Sequence, residues 1–169
     1  MTAHVFFDMD GVLAKWDTSS SIEDTFMPGY FLNREPEPEL IMALKEMSTA
    51  GAADVAILSA AYSTTNAGEE KMQWLQKQGI NVPVYIVPYG HRKSDFIPRV
   101  EGLALLVDDY TRNLREWETI PDHIGVKFVN GVNSTNGTWE GYRLDYRMNA
   151  DHIAKTLMGI IAAESAVKA

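Results

Sequence analysis

The sequence contains no cysteine. Disulfide frameworks, thiol nucleophiles and cysteine-based zinc sites are therefore excluded. No uninterrupted apolar run approaches the roughly 20 residues that a membrane-spanning helix needs. The opening stretch, MTAHVFFDMDG, carries acid at positions 8 and 10 and lacks the basic segment and apolar run of a secretory signal. The expected setting is cytoplasmic, with no membrane partner. Basic residues are the scarce charge: 15 Lys and Arg stand against 23 Asp and Glu, a formal net charge of −8. Binding nucleic-acid polymers or anionic membranes generally requires a basic face, so neither is an expected partner. A small anionic ligand held by a metal ion remains compatible with that balance. Internal repeats and low-complexity tracts are also missing. What remains is ordinary globular composition, 46% hydrophobic and 22% charged over 169 residues. That length suits one domain, or one domain with a small insertion.

Five brief apolar runs predict strands: Val5–Phe7, Val55–Leu58, Val84–Val87, Leu103–Val107 and Val126–Val129. They are β-branched or aromatic and do not strictly alternate, as expected of parallel strands covered on both faces. Helical patterns lie between them. Glu39 to Ala50 places Leu40, Leu44 and Met47 on one face, with Gly51 as the C-terminal stop. Glu69–Gln78, Thr111–Glu118 and Asp151–Val167 follow, the last with Asn149 or Asp151 as its cap. Strands alternating with helices predict an α/β fold with a mainly parallel, five-stranded sheet.

Two regions break the alternation. Nearly fifty residues separate the first two strands, far more than a crossover needs. Residues 15–38 read as a small helical cap inserted between core segments 1–14 and 39–169. Ser20-Ser21-Ile22-Glu23 is a capping-box pattern for a short helix ending near Met27, before Pro28-Gly29. The second region, Asn130 to Tyr142, holds Asn-Gly pairs at 130–131 and 136–137, which are turn signals. It is compatible with a structural hairpin or with part of a binding surface. Asn136-Gly137-Thr138 fits a glycosylation acceptor, but reads as a turn.

The strongest chemical signal is HVFFDMDGVLA. An apolar strand runs into Asp8 and Asp10, and Gly11 permits a sharp turn. LALLVDDYTRN repeats the pattern with Asp108 and Asp109. Ligands of parallel α/β sheets sit at the carboxyl ends of strands. One acid after a strand serves well as a cap; two acidic pairs at neighbouring strand ends would repel unless a cation joined them or a pKa rose. Carboxylate oxygens without His or Cys suit Mg²⁺ better than zinc. Ser59 and Ala60, closing the second strand, offer a hydroxyl and a backbone N–H to a phosphate oxygen. Lys93 in VPYGHRKSDF is placed to neutralise negative charge, although His91 and Arg92 compete with it on spacing alone.

These parts, in this order, resemble the haloacid dehalogenase superfamily of phosphotransferases. DMDGV resembles its first motif, ILSA its second, Lys93 its third and VDDYTRN its fourth. The resemblance implies a three-layer Rossmann-like sandwich. It implies Asp8 as nucleophile, Asp10 as general acid/base, and Ser59, Ala60 and Lys93 as phosphate-binding groups. It implies Mg²⁺ held by Asp8, the Asp10 carbonyl and Asp109, with Asp108 acting through a water. Phosphatases and phosphomutases carry the second Asp of the first motif, whereas dehalogenases and transport ATPases lack it there. ILSAAYSTTNAGEEKMQWLQK and LLVDDYTRNLREWE further resemble the 5′(3′)-deoxyribonucleotidase branch, whose cap is usually larger.

The expected activity is Mg²⁺-dependent hydrolysis of a phosphate monoester through an aspartyl-phosphate. A (deoxy)nucleoside monophosphate is the leading substrate class. Another small phosphometabolite, or a non-catalytic binding protein on the same fold, is the alternative. Aromatic residues suit a base-stacking role: Trp16, Tyr30 and Tyr62 are the candidate substrate walls, while Phe26 is expected in the cap's own core. Trp74 and Trp117 are expected in helix–sheet packing.

Overall fold

Val5 sits between Val55 and Leu105, paired in parallel with both. A computed structural model describes residues 3–133 and 138–167. The strands are β1 (Ala3–Phe7), β2 (Asp54–Ala61), β3 (Val84–Pro88), β4 (Leu103–Asp108), β5 (His123–Val129) and β6 (Tyr142–Asp145). The helices are α1 (Pro38–Ala50), α2 (Ala67–Lys77), α3 (Thr111–Trp117) and α4 (Ala150–Val167). All strand pairs are parallel, in the order β3-β2-β1-β4-β5-β6. The chain first builds outward from β1 to β3, then crosses back and builds the other half from β4. The order therefore reverses between β1 and β4, where loops leave the sheet in opposite directions and open a crevice.

The sheet has six strands rather than the expected five. The sixth, β6, has one buried residue, Leu144, in four. So short an edge strand carries too little apolar periodicity to stand out beside turn signals. The Asn136-Gly137 turn and most of the glycosylation-like triplet lie outside the described residues. Trp139, however, is buried. Its ring lies on Gly125 of β5, where a Cβ would come within 2.8 Å of it, and its indole N–H donates to the Tyr142 carbonyl at 3.0 Å.

Successive strand residues enter two different cores, one on each face of the sheet. Val5, Phe7, Ile57, Leu105 and Val107 join a core with α1, α2 and α4; Phe6, Leu58, Ala104 and Leu106 join a second core with Leu114 and Trp117 of α3. Helices thus cover both faces, which is why the strands are apolar without alternation. Trp74 and Trp117 are both buried, as expected. Helix α1 ends on Gly51 in the left-handed region, φ +61°. Asn149 caps α4, its side-chain oxygen accepting from His152 N–H at 2.9 Å. Among the described residues no helix is long and apolar enough to cross a membrane.

The segment between β1 and α1 leaves and rejoins the core at one place. Lys15 N–H donates to Glu35 C=O and Glu37 N–H to Leu13 C=O, each at 2.8 Å. The insertion holds two 3₁₀ turns, Glu23–Phe26 and Phe31–Asn33, rather than an α-helix. The capping box forms one residue later than expected: Ser21 N–H donates to the Asp24 carboxylate at 2.7 Å, and Asp24 N–H to the Ser21 hydroxyl at 3.3 Å. Phe31 is its one buried apolar side chain, and Phe26 is exposed instead of forming a cap core. With so little core of its own, the cap is held by α2. The Glu70 carboxylate accepts from Gly29 N–H at 2.6 Å and Phe31 N–H at 3.1 Å. The Trp74 indole donates to Arg34 C=O at 2.8 Å.

Glu70→Ala would strip both backbone donors of their acceptor. Leaving such groups unsatisfied costs about 1–3 kcal/mol. Urea unfolding should show that loss, and limited proteolysis should find new cleavage within residues 15–38. An unchanged midpoint and cleavage pattern would show that Glu70 does not hold the cap.

Candidate active site

Asp8 is the first residue beyond β1, and Asp108 is the last of β4. Because these strands are adjacent and parallel, the two acidic pairs arrive at the same edge of the sheet. Carboxylate oxygens of Asp8, Asp108 and Asp109 lie within 4.8 Å of one another. Gly11 makes this approach possible. It has φ +71°, and a Cβ there would come within 2.2 Å of Asp109 Oδ2. The loop closes through Val12 N–H and Ala14 N–H, both donating to Met9 C=O, and Gly11 N–H, donating to Ala14 C=O. The Asp10 carbonyl accepts none of these bonds.

Of the three competing cations after β3, Lys93 reaches the acids. It starts a 3₁₀ turn, is buried, and places Nζ 3.0 Å from Asp8 and 2.6 Å from Asp108. Burial alone would lower the lysine pKa; the charges of Asp108 and Asp8 outweigh it and raise it. Arg92 turns instead to Thr119 and the Glu116 carbonyl, and His91 rests edge-on against Phe96. Asp108 has both oxygens engaged: Tyr110 N–H donates to one at 2.8 Å, and Lys93 and Asn113 Nδ2 to the other. Burial raises its pKa against the pull of Lys93. Asp109 is raised well above the usual carboxyl range, first by burial and then by the charges of Asp108 and Asp8.

Three lysines meet these acids, and the sequence pointed to only one. Lys71 of α2 is 1% exposed. Its ammonium contacts Asp10, the Ala60 carbonyl and, at 3.2 Å, the Ser59 hydroxyl. Burial pushes the Asp10 pKa up, and Lys71 opposes that push. Lys127 of β5 donates to the Asp109 carbonyl and to the Thr111 hydroxyl at 2.9 Å. The cations beside the four acids, among the described residues, are lysines. Lys71 shares the buried face of α2 with Ala67, Glu70, Trp74 and Leu75, a helical spacing that its charge and that of Glu70 disguise in the sequence. Asp10 also departs from the expected grouping. Its side chain pairs with Lys71 and lies outside the three-acid cluster.

A cavity of about 360 Å³ opens on this edge, lined by Asp8, Asp10, Ala60, Lys93 and Asp109 below and by cap residues above. Trp16, Tyr30 and Tyr62 all line it. Their free faces differ. Tyr62 is stacked between Phe26 and Tyr89, at 4.5 and 4.4 Å between ring centroids. Tyr30 carries the Arg34 guanidinium 4.2 Å over its ring. Trp16 is half exposed and has no ring partner among the described residues. Ser59 is buried behind Ala60, turned to Lys71 rather than lining the cavity.

No family model matches the chain, and no curated protein matches it. The site's chemistry must therefore be judged on its own donors. Three hard carboxylates without nitrogen or sulfur ligands fit a small divalent cation. With all seven side chains ionised, the buried lysines leave one negative charge at this edge uncompensated, which is compatible with such an ion.

Asp109→Asn tests that fit without catalysis. The amide removes a carboxylate that burial and its neighbours disfavour. The variant without metal should melt above the metal-free wild type, and Mg²⁺ should raise the melting temperature of the wild type only. Equal stabilisation of both by Mg²⁺ would place any bound ion elsewhere.

Proposed function

We propose that this protein is a Mg²⁺-dependent phosphatase that hydrolyses small phosphate monoesters through an aspartyl-phosphate on Asp8. One observation carries the reading: Asp8, Asp108 and Asp109 converge at the crevice where strand order reverses, with Lys93 bridging Asp8 and Asp108. The strand order is that of doubly wound, Rossmann-like sheets. It is compatible with the haloacid dehalogenase resemblance of DMDGV and VDDYTRN. The cytoplasmic setting belongs to the same reading.

Asp8 and Asp109, the Asp10 carbonyl, and Asp108 through a water would hold the ion. Bound there, Mg²⁺ would supply positive charge to the phosphate oxygens and screen them from an anionic nucleophile. The chain's own groups do the rest. Met9 N–H donates to one Asp8 oxygen at 2.7 Å and Lys93 holds the other, so the nucleophile enters the reaction already oriented. Asp8 attacks phosphorus, and the ester oxygen leaves with a proton from Asp10. Asp10 then takes a proton from the water that hydrolyses the aspartyl-phosphate. Burial favours the protonated acid of the first step and Lys71 the ionised base of the second. Lys71, which holds the Ala60 carbonyl, and Lys93 both line the cavity and would offer positive charge to phosphate oxygens.

The cavity favours a substrate with a flat, aromatic leaving portion, because Trp16 leaves a ring face open above the acids. A nucleoside monophosphate, including the deoxy forms acted on by a 5′-nucleotidase, fits that description.

Phosphate release from an aryl phosphate and from panels of nucleoside and sugar monophosphates, with Mg²⁺ or with EDTA, tests the reading. Hydrolysis should require Mg²⁺ and favour nucleotides. Preference for sugar phosphates would remove the nucleotide class and leave the reaction standing. Asp8→Asn should abolish turnover with folding intact. Asp10→Asn should slow alkyl-ester hydrolysis by about 10²–10⁴-fold, the usual contribution of a general acid/base. Activity retained by Asp8→Asn would overturn the covalent route.

A further inference from the structure

The turn after β5 has no part in the chemistry above, yet it touches both acidic motifs. Asn130 Nδ2 donates to the Gly11 carbonyl at 2.9 Å and to Asp109 Oδ2 at 3.1 Å. The amide's orientation is forced. Its oxygen accepts from Val132 N–H at 3.2 Å and Asn133 N–H at 3.0 Å, so the nitrogen must face Gly11 and Asp109. Asn133 completes the turn: its side-chain oxygen accepts from Asn130 N–H at 2.8 Å. Its amide nitrogen donates to the carbonyls of Asp109 and Phe128, each at 3.0 Å. Gly131, at φ +87°, lets the turn reverse.

We propose that Asn130 is a positioning residue that makes Asp109 a one-oxygen ligand and so biases the site toward Mg²⁺ over Ca²⁺. The inference rests on the metal reading above. With Oδ2 held by Asn130 and packed against Gly11, only Oδ1 of Asp109 is left, and no described residue engages it. Mg²⁺ demands near-octahedral geometry and short single-oxygen contacts; Ca²⁺ accepts more ligands and takes carboxylates with both oxygens. A carboxylate unable to rotate thus suits the smaller ion. The same side chain's bond to Gly11, 119 residues away in sequence, keeps the loop of Asp8 and Asp10 in register with Asp109.

Calorimetric titration of the full chain with MgCl₂ and with CaCl₂, without substrate, tests this. Two variants separate positioning from turn integrity. Asn130→Ala removes the whole side chain. Asn130→Ser keeps a hydroxyl oxygen for the N–H groups of Val132 and Asn133 and is too short to donate to Asp109. Wild type should prefer Mg²⁺. Both variants should lose that preference by roughly 10–100-fold, the range typical of groups that orient metal ligands. A wild-type ratio in either variant, or no Mg²⁺ preference in the wild type, overturns the positioning role and leaves the metal reading intact. A wild type that binds neither ion overturns both.

Discussion

Lys93 is the constraint on which the rest of the site depends. Its ammonium, buried and shared between Asp8 and Asp108, joins the end of β1 to the end of β4. Those strands flank the reversal in strand order; the backbone ladder between them runs to Asp8 N–H, which donates to Val107 C=O at 2.9 Å, and Lys93 continues the join through side chains. Desolvating three charges is unfavourable. It is offset only while all three remain together, because removing one partner of a buried set leaves the others uncompensated. Electrostatics therefore favours the arrangement in which the crevice is narrow and the acids are aligned.

Helix α2 extends that arrangement outward. Consecutive residues face different tasks: Glu70 holds the backbone of the cap, and Lys71 holds Asp10 and the end of β2. Lys71 also lies 4.7 Å from the Phe31 ring, the cap's buried anchor. Cap position and Asp10 position are thus tied to one turn of one helix. The Phe26–Tyr62–Tyr89 stack adds a second join between cap and core at the cavity mouth. A cap this small is better described as an extension of the core surface than as a separate folding unit.

The turn at Asn130–Asn133 plays the corresponding part on the other side. It ties the backbone of Gly11, the carboxylate of Asp109 and the carbonyl of Asp109 through two asparagines. Asn-Gly in the sequence marks a reversal of the chain, and that much was legible. That the asparagine's nitrogen would be left facing a carboxylate was not, because an amide's donors are assigned only once its oxygen's partners are known.

Much of the fold was written locally. The five longer strands, the four helices, Gly51 as a stop and the acids at strand ends all follow from spacing and residue type. Each is set by a residue's near neighbours in the chain. Lys93 over His91 and Arg92, the pairing of Lys71 with Asp10, the edge strand around Leu144 and the cap's reliance on Glu70 were decided only in three dimensions. They join residues at least 15 positions apart, and crossovers and strand order, which no local pattern encodes, determine which of them meet.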